Sequence, residues 1–124
     1  MIIEIQHFKE GKDQLVKVPL GTSNKTATLL ETDFDDLMAL GVSAKWKLYH
    51  GKVMVRNSGK DIAIARLIRH ALAGQRVDTK DYDPTNLRRS NLVLATGTSK
   101  YTRDDVVKPY KGRIQVEHIS AATK

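Results

Sequence analysis

Apolar and polar positions alternate at strand period through the first part of the chain. Residues 2–6 form a short apolar run that reads as an edge strand, and Leu15-Val16-Lys17-Val18-Pro19-Leu20 alternates in the same way. Pro19 has no backbone N–H for a ladder, which confines that strand to an edge or an end. Gly21-Thr22-Ser23-Asn24 is a turn, and residues 26–31 return as the second arm of a hairpin. The period then changes. Thr32 stands at an N-cap, Asp33, Asp35 and Asp36 suit a helix N-terminus, and Phe34, Leu37, Met38 and Leu40 form an apolar stripe ended by Gly41.

Residues 45–49 and 53–56 flank His50-Gly51-Lys52 and predict a second hairpin, followed by a turn at Asn57-Ser58-Gly59-Lys60. Over residues 62–73 the apolar positions Ile64, Leu67, Ile68, Ala71 and Leu72 recur at helical spacing up to Gly74, which leaves Lys60, Arg66 and Arg69 off the buried face. Residues 76–79 are extended, 81–90 loop-like with Pro84, and 92–95 strand-like. Thr98 caps a predicted helix through residue 107, and Pro109 prevents its continuation. Residues 110–124 are basic, with a strand around Ile114, Val116 and His118. The expected fold is α+β: a β-rich N-terminal module with one short helix over residues 1–61, a second region over 62–107 and a basic tail over 108–124, in one compact domain.

Composition narrows the function. Of 124 residues, 40% are hydrophobic and 28% charged, the balance of a folding chain. No apolar run is long enough to span a bilayer and the first residues lack a secretory pattern, so a cytoplasmic protein is expected. Without cysteine there is no disulfide, thiolate metal site or cysteine nucleophile. His7, His50, His70 and His118 are far apart and show no ligand spacing. The 21 Lys+Arg exceed the 14 Asp+Glu, and the net charge of +7 favours a polyanionic partner.

One stretch carries a family pattern. Ala65-Arg66-Leu67-Ile68, Val77-Asp78-Thr79, Asp83-Pro84 and above all Arg88-Arg89-Ser90-Asn91-Leu92 make residues 16–100 resemble phage-type HNH homing endonucleases. The resemblance implies an N-terminal β-hairpin module followed by an HNH-like ββα-metal motif. It makes Asp78 a metal ligand, Asn91 the brace of the loop, and Lys60, Arg66, Arg69, Lys80, Arg88, Arg89 and Lys100 contacts to double-stranded DNA. The departures fall on the chemistry. Thr79 takes the place of the histidine that serves as general base, and a threonine hydroxyl cannot accept that proton near neutrality. Lys100 aligns with the second metal ligand, and an ammonium cannot coordinate a cation. Ala65 replaces a further histidine.

These departures predict a DNA-binding protein derived from a nuclease, catalytically inactive and without a cofactor, in which Lys100 gives Asp78 the positive charge that Mg²⁺ would supply. His70 reads as a helix-face histidine beside the core rather than a replacement base. Trp46 and Tyr49 alternate with Lys45 and Lys47, as in strands that bind nucleic acid, but core packing is the better reading of a single tryptophan. Two alternatives stay open: an active Mg²⁺-dependent HNH endonuclease with a non-standard base, and a phage or prophage protein-interaction module.

Overall fold

Alternation at the N-terminus runs beyond the apolar residues and produces β1 (Ile2–Glu10), which turns at Gly11 into β2 (Asp13–Pro19). Gly11 sits at φ 61, a left-handed conformation that glycine adopts without a Cβ penalty. The structure is a computed structural model that describes residues 2–21, 23–106 and 115–120. β3 (Thr26–Leu30) pairs antiparallel with β2, as the hairpin pattern predicts, and Pro19 lies at the end of its strand. β9 (Gln115–Ser120) pairs parallel with the other side of β1, so the first sheet has the order β3-β2-β1-β9. The edge position predicted for the first strand is therefore wrong: β1 is interior. Two of the three residues that suggested β9, Val116 and His118, lie in that strand, and Ile114 is outside the described residues.

Helix α1 (Glu31–Leu40) starts one residue before the predicted cap. Leu30 is the N-cap with no side-chain hydrogen bond, and Thr32 lies exposed inside the helix. Gly41 ends it at φ 101, where Val42 N–H reaches Leu37 O and Gly41 N–H reaches Met38 O in a Schellman arrangement. Phe34 and Leu37 are fully buried, and Met38 and Leu40 pack on the same core.

The second sheet is a meander of β4 (Trp46–Tyr49), β5 (Lys52–Asn57) and β6 (Lys60–Ala63). Its two turns, His50-Gly51 and Ser58-Gly59, have positive φ at both residues, the geometry that matches strand twist in two-residue hairpins. β6 replaces the first part of the predicted helix. Ile62 opposite Val55 and Ala63 opposite Met54 bury backbone that the ladder satisfies, so helix α2 spans only Ile64–Ile68. A second Schellman pair, Ala71 N–H to Arg66 O and His70 N–H to Leu67 O, closes α2 with His70 at φ 52. This corrects two readings at once: His70 is an exposed left-handed cap, and Leu72, assigned to the apolar stripe, is turned out to 65% exposure.

β7 (Gln75–Thr79) and β8 (Leu92–Thr96) form a third, two-stranded sheet, with Val77 opposite Leu94 and Thr79 opposite Leu92. Their connecting loop docks on the free edge of β3: Thr28 N–H reaches Thr85 O at 2.9 Å and Leu87 N–H reaches Thr28 O at 2.7 Å. The helix predicted from Thr98 is absent over 98–106. That stretch is irregular apart from a 3-10 turn, Arg103–Asp105, boxed by Thr102 and Asp105; residues 107 and 109 lie outside the described residues. The α+β class stands. One apolar cluster joins the three sheets and includes Trp46, 1% exposed and bonded from Nε1 to Ser43 O at 2.7 Å. Among the described residues no helix is long and apolar enough to cross a membrane.

Candidate functional site

The loop between β7 and β8 is held by its own side chains. Asn91, buried in the 3-10 turn just before β8, gives Nδ2 hydrogens to Asp81 Oδ1 and Asn86 O, both at 2.9 Å, and accepts from Asp81 N–H at 3.2 Å. Asp81 also accepts from the Asn86 amide at 2.8 Å and from Asp83 N–H at 2.9 Å. The Asn86 bond, then the Asp83 N–H and the Asn91 amide, hold the Asp81 carboxyl below the usual carboxylate range. Asp83 in turn takes Thr85 N–H and Oγ1–H. The result is a loop braced by its own side chains and anchored to the edge of β3 through Thr28.

This rigid loop displays Tyr82 at its tip, 91% exposed and at φ 60. Lys80 is exposed beside it and makes no ion pair among the described residues. Tyr82, Pro84 and Leu87 form one wall of a cleft of about 340 Å³; Gly51 of the β4–β5 turn, Lys52 and Val53 of β5, Ala63, Ala65 and Arg66, and Val77, Asp78 and Thr79 of β7 complete it. Sequence reasoning missed Tyr82 and Lys52. The aromatic residue between Lys80 and Pro84 in a loop was the available signal.

Of the residues proposed from sequence, Asp78 and Thr79 share this cleft, and Asn91 braces the loop above it. Asp78 is gripped through both oxygens by Arg76 Nε at 3.1 Å. The predicted ion pair with Lys100 is not formed: the irregular 98–102 stretch replaces the helix that was to present Lys100, whose Nζ lies 5.6 Å from the Tyr101 ring centre. Gly97 packs so closely on Arg76, the partner of Asp78, that a Cβ there would come 2.9 Å from Arg76 Cβ.

Most of the predicted phosphate contacts have internal partners. Arg66 is buried, against the expectation that it lies off the core, and its guanidinium binds Tyr101 O, Gln75 O and Leu72 O. Arg89 bonds Asp33 at 2.6 Å, Arg88 reaches Glu10 at 3.1 Å, and Lys60 reaches Asp105 at 2.9 Å. Arg69 is half-buried, with Nε buried and unpaired among the described residues. Lys80 and Lys100 alone of the seven are exposed and form no ion pair among the described residues, although the Lys100 charge acts on Asp105.

The donor set does not fit a resident Mg²⁺. No three His, Asp or Glu side chains converge among the described residues, and the carboxylate in the cleft is already held by a guanidinium. No family model, curated protein or solved structure matches the chain.

Proposed function

We propose that the protein binds duplex DNA through the β7–β8 loop and carries no nuclease chemistry. The observation that carries this reading is the self-braced loop that presents Lys80 and the fully exposed ring of Tyr82 beside a cleft holding Asp78 and Thr79. A loop ordered in advance loses little conformational entropy on docking. An ammonium there meets a phosphate, and an aromatic face packs on a sugar or an unstacked base. The HNH resemblance of the same segment supports a nucleic-acid partner, and Thr79 at the base position with Arg76 on Asp78 supports the loss of cleavage. The net charge of +7 supplies the long-range attraction.

The test is fluorescence anisotropy with a labelled duplex at two salt concentrations, with Lys80→Glu and Tyr82→Ala beside the unaltered protein. Binding that weakens as salt rises, and weakens further in both variants, is the expected outcome. Affinity indifferent to salt and to both changes would overturn the reading. A supercoiled plasmid incubated with Mg²⁺ or Mn²⁺ should remain uncut, and nicking abolished by Asp78→Ala would replace this reading with an active nuclease.

A further inference from the structure

Two histidines separated by 111 positions meet on the first sheet. His7 on β1 gives its Nδ1 hydrogen to Glu31 Oε2 at the start of α1, at 2.8 Å. Its other nitrogen, Nε2, faces Nδ1 of His118 on β9 at 2.6 Å. The parallel register makes this possible. Ile5 lies opposite His118 and His7 opposite Ser120, so the two rings are diagonal neighbours on the face that α1 covers. Phe34 of α1 meets the His118 ring edge-on at 6.2 Å.

Room exists for one hydrogen between the two facing nitrogens. Because Glu31 takes the Nδ1 hydrogen of His7, Nε2 either accepts from His118 or, in the imidazolium form, donates to an unprotonated His118 nitrogen. Each arrangement carries at most one positive charge over the two rings. A second proton sets N–H against N–H and cation against cation at hydrogen-bond distance.

The surroundings do not relieve that conflict. Among the described residues Glu31 is the one carboxylate bonded to the pair. Exposed Asp35 is a turn further along α1, and the helix N-terminus adds positive partial charge. On β1, Lys9 follows on the same face as His7 and is exposed; β2 places Val16 opposite His7; and Glu117 of β9 points to the other face. Beyond its ladder with β1, β9 has half-buried Val116 against the core, and none of its described side chains is fully buried.

We propose that Glu31, His7 and His118 form a latch that fixes β9 against β1 near neutral pH and opens when both imidazoles are protonated. Histidine is the side chain whose charge changes in this range. Opening exposes the edge of β1 and frees β9, which follows a segment containing Lys108, Lys111 and Arg113.

Amide hydrogen exchange of the whole chain at about pH 7.5 and about pH 5, corrected for intrinsic exchange, tests the latch. Protection of the β1–β9 ladder should fall by roughly tenfold or more at the lower pH, with the β2–β3 ladder unchanged. His7→Gln should remove that pH dependence. Equal protection at both pH values would overturn the latch, as would equal loss from both ladders, or pH dependence retained in the variant. Should the variant not fold, ¹⁵N spectra of the histidine rings in the unaltered protein decide: two doubly protonated rings with the β1–β9 ladder still protected would overturn it, and ring protonation coincident with ladder loss would sustain it.

Discussion

The guanidinium of Arg66 satisfies three carbonyls from two stretches of chain, at Leu72 and Gln75 and at Tyr101, and burial lowers its proton affinity from the ordinary arginine value. Removing the buried guanidinium takes a charged donor from all three carbonyls, so Arg66→Met should destabilise the fold by about 2 to 4 kcal/mol. Arg66→Lys should recover little, because one ammonium cannot reproduce the planar fork of donors. Urea unfolding midpoints at constant slope measure both. Asp81 makes a pH statement. Its carboxyl is held below the usual range in the folded loop, so its stabilisation is fully present above the ordinary aspartate pKa and is lost as pH falls through the lowered folded value. Loop amides from Asp81 to Asn91 should therefore stay protected through mildly acidic pH and lose protection only below the usual carboxylate range. Loss already near neutrality would contradict the hydrogen-bond account.

At the scale of elements, turn chemistry determines where α2 stops and how the loop beyond it runs. His70 occupies a left-handed position at φ 52, which costs a Cβ-bearing residue about 1 kcal/mol relative to glycine, partly offset by the unfolded-state entropy that glycine adds. His70→Gly should leave stability unchanged or raise it by up to about 1 kcal/mol, read as an increase in the thermal midpoint. A clear loss of stability would mean that the imidazole makes a contact the cap geometry does not require. The Arg103–Asp105 turn is fixed in a similarly local way, by the Thr102 box, with Lys60 reaching across from β6 to Asp105. That ion pair raises Lys60 above its usual value, the hydrogen bond to Asp105 being the larger cause.

The distribution of charge over the whole molecule sets how strongly salt should act on DNA binding. Four of the seven basic residues expected at phosphates are internally engaged, and one more is half-buried. A full set of seven contacts would give a slope of about −6 in log affinity against log salt; two to four contacts, including Lys80 and Lys100, give about −2 to −4. Anisotropy titrations across salt should return the shallower value. A slope near −6 would mean that Arg88, Arg89 and Lys60 exchange their carboxylates for phosphates on binding.

Local rules alone determined much of this protein. His50-Gly51 and Ser58-Gly59 fix two tight hairpin turns, Gly41 ends α1, and the alternation around Val77 and Leu94 places β7 and β8, because φ/ψ preference and side-chain period act over a few residues. The Asn91 brace was expected from the family pattern, and its bonds run to residues within the same loop. What lay beyond local reach was decided by the fold. Whether β1 is an edge depends on β9 arriving from the other end of the described chain, and Ile62 and Ala63 join a strand because β5 offers them a ladder. Arg89 and Asp33 are 56 positions apart, Arg88 and Glu10 78, and His7 and His118 111. Sequence shows that such side chains can carry charge or a proton; only packing decides which of them meet, since the partner that neutralises a charge is chosen by proximity in space.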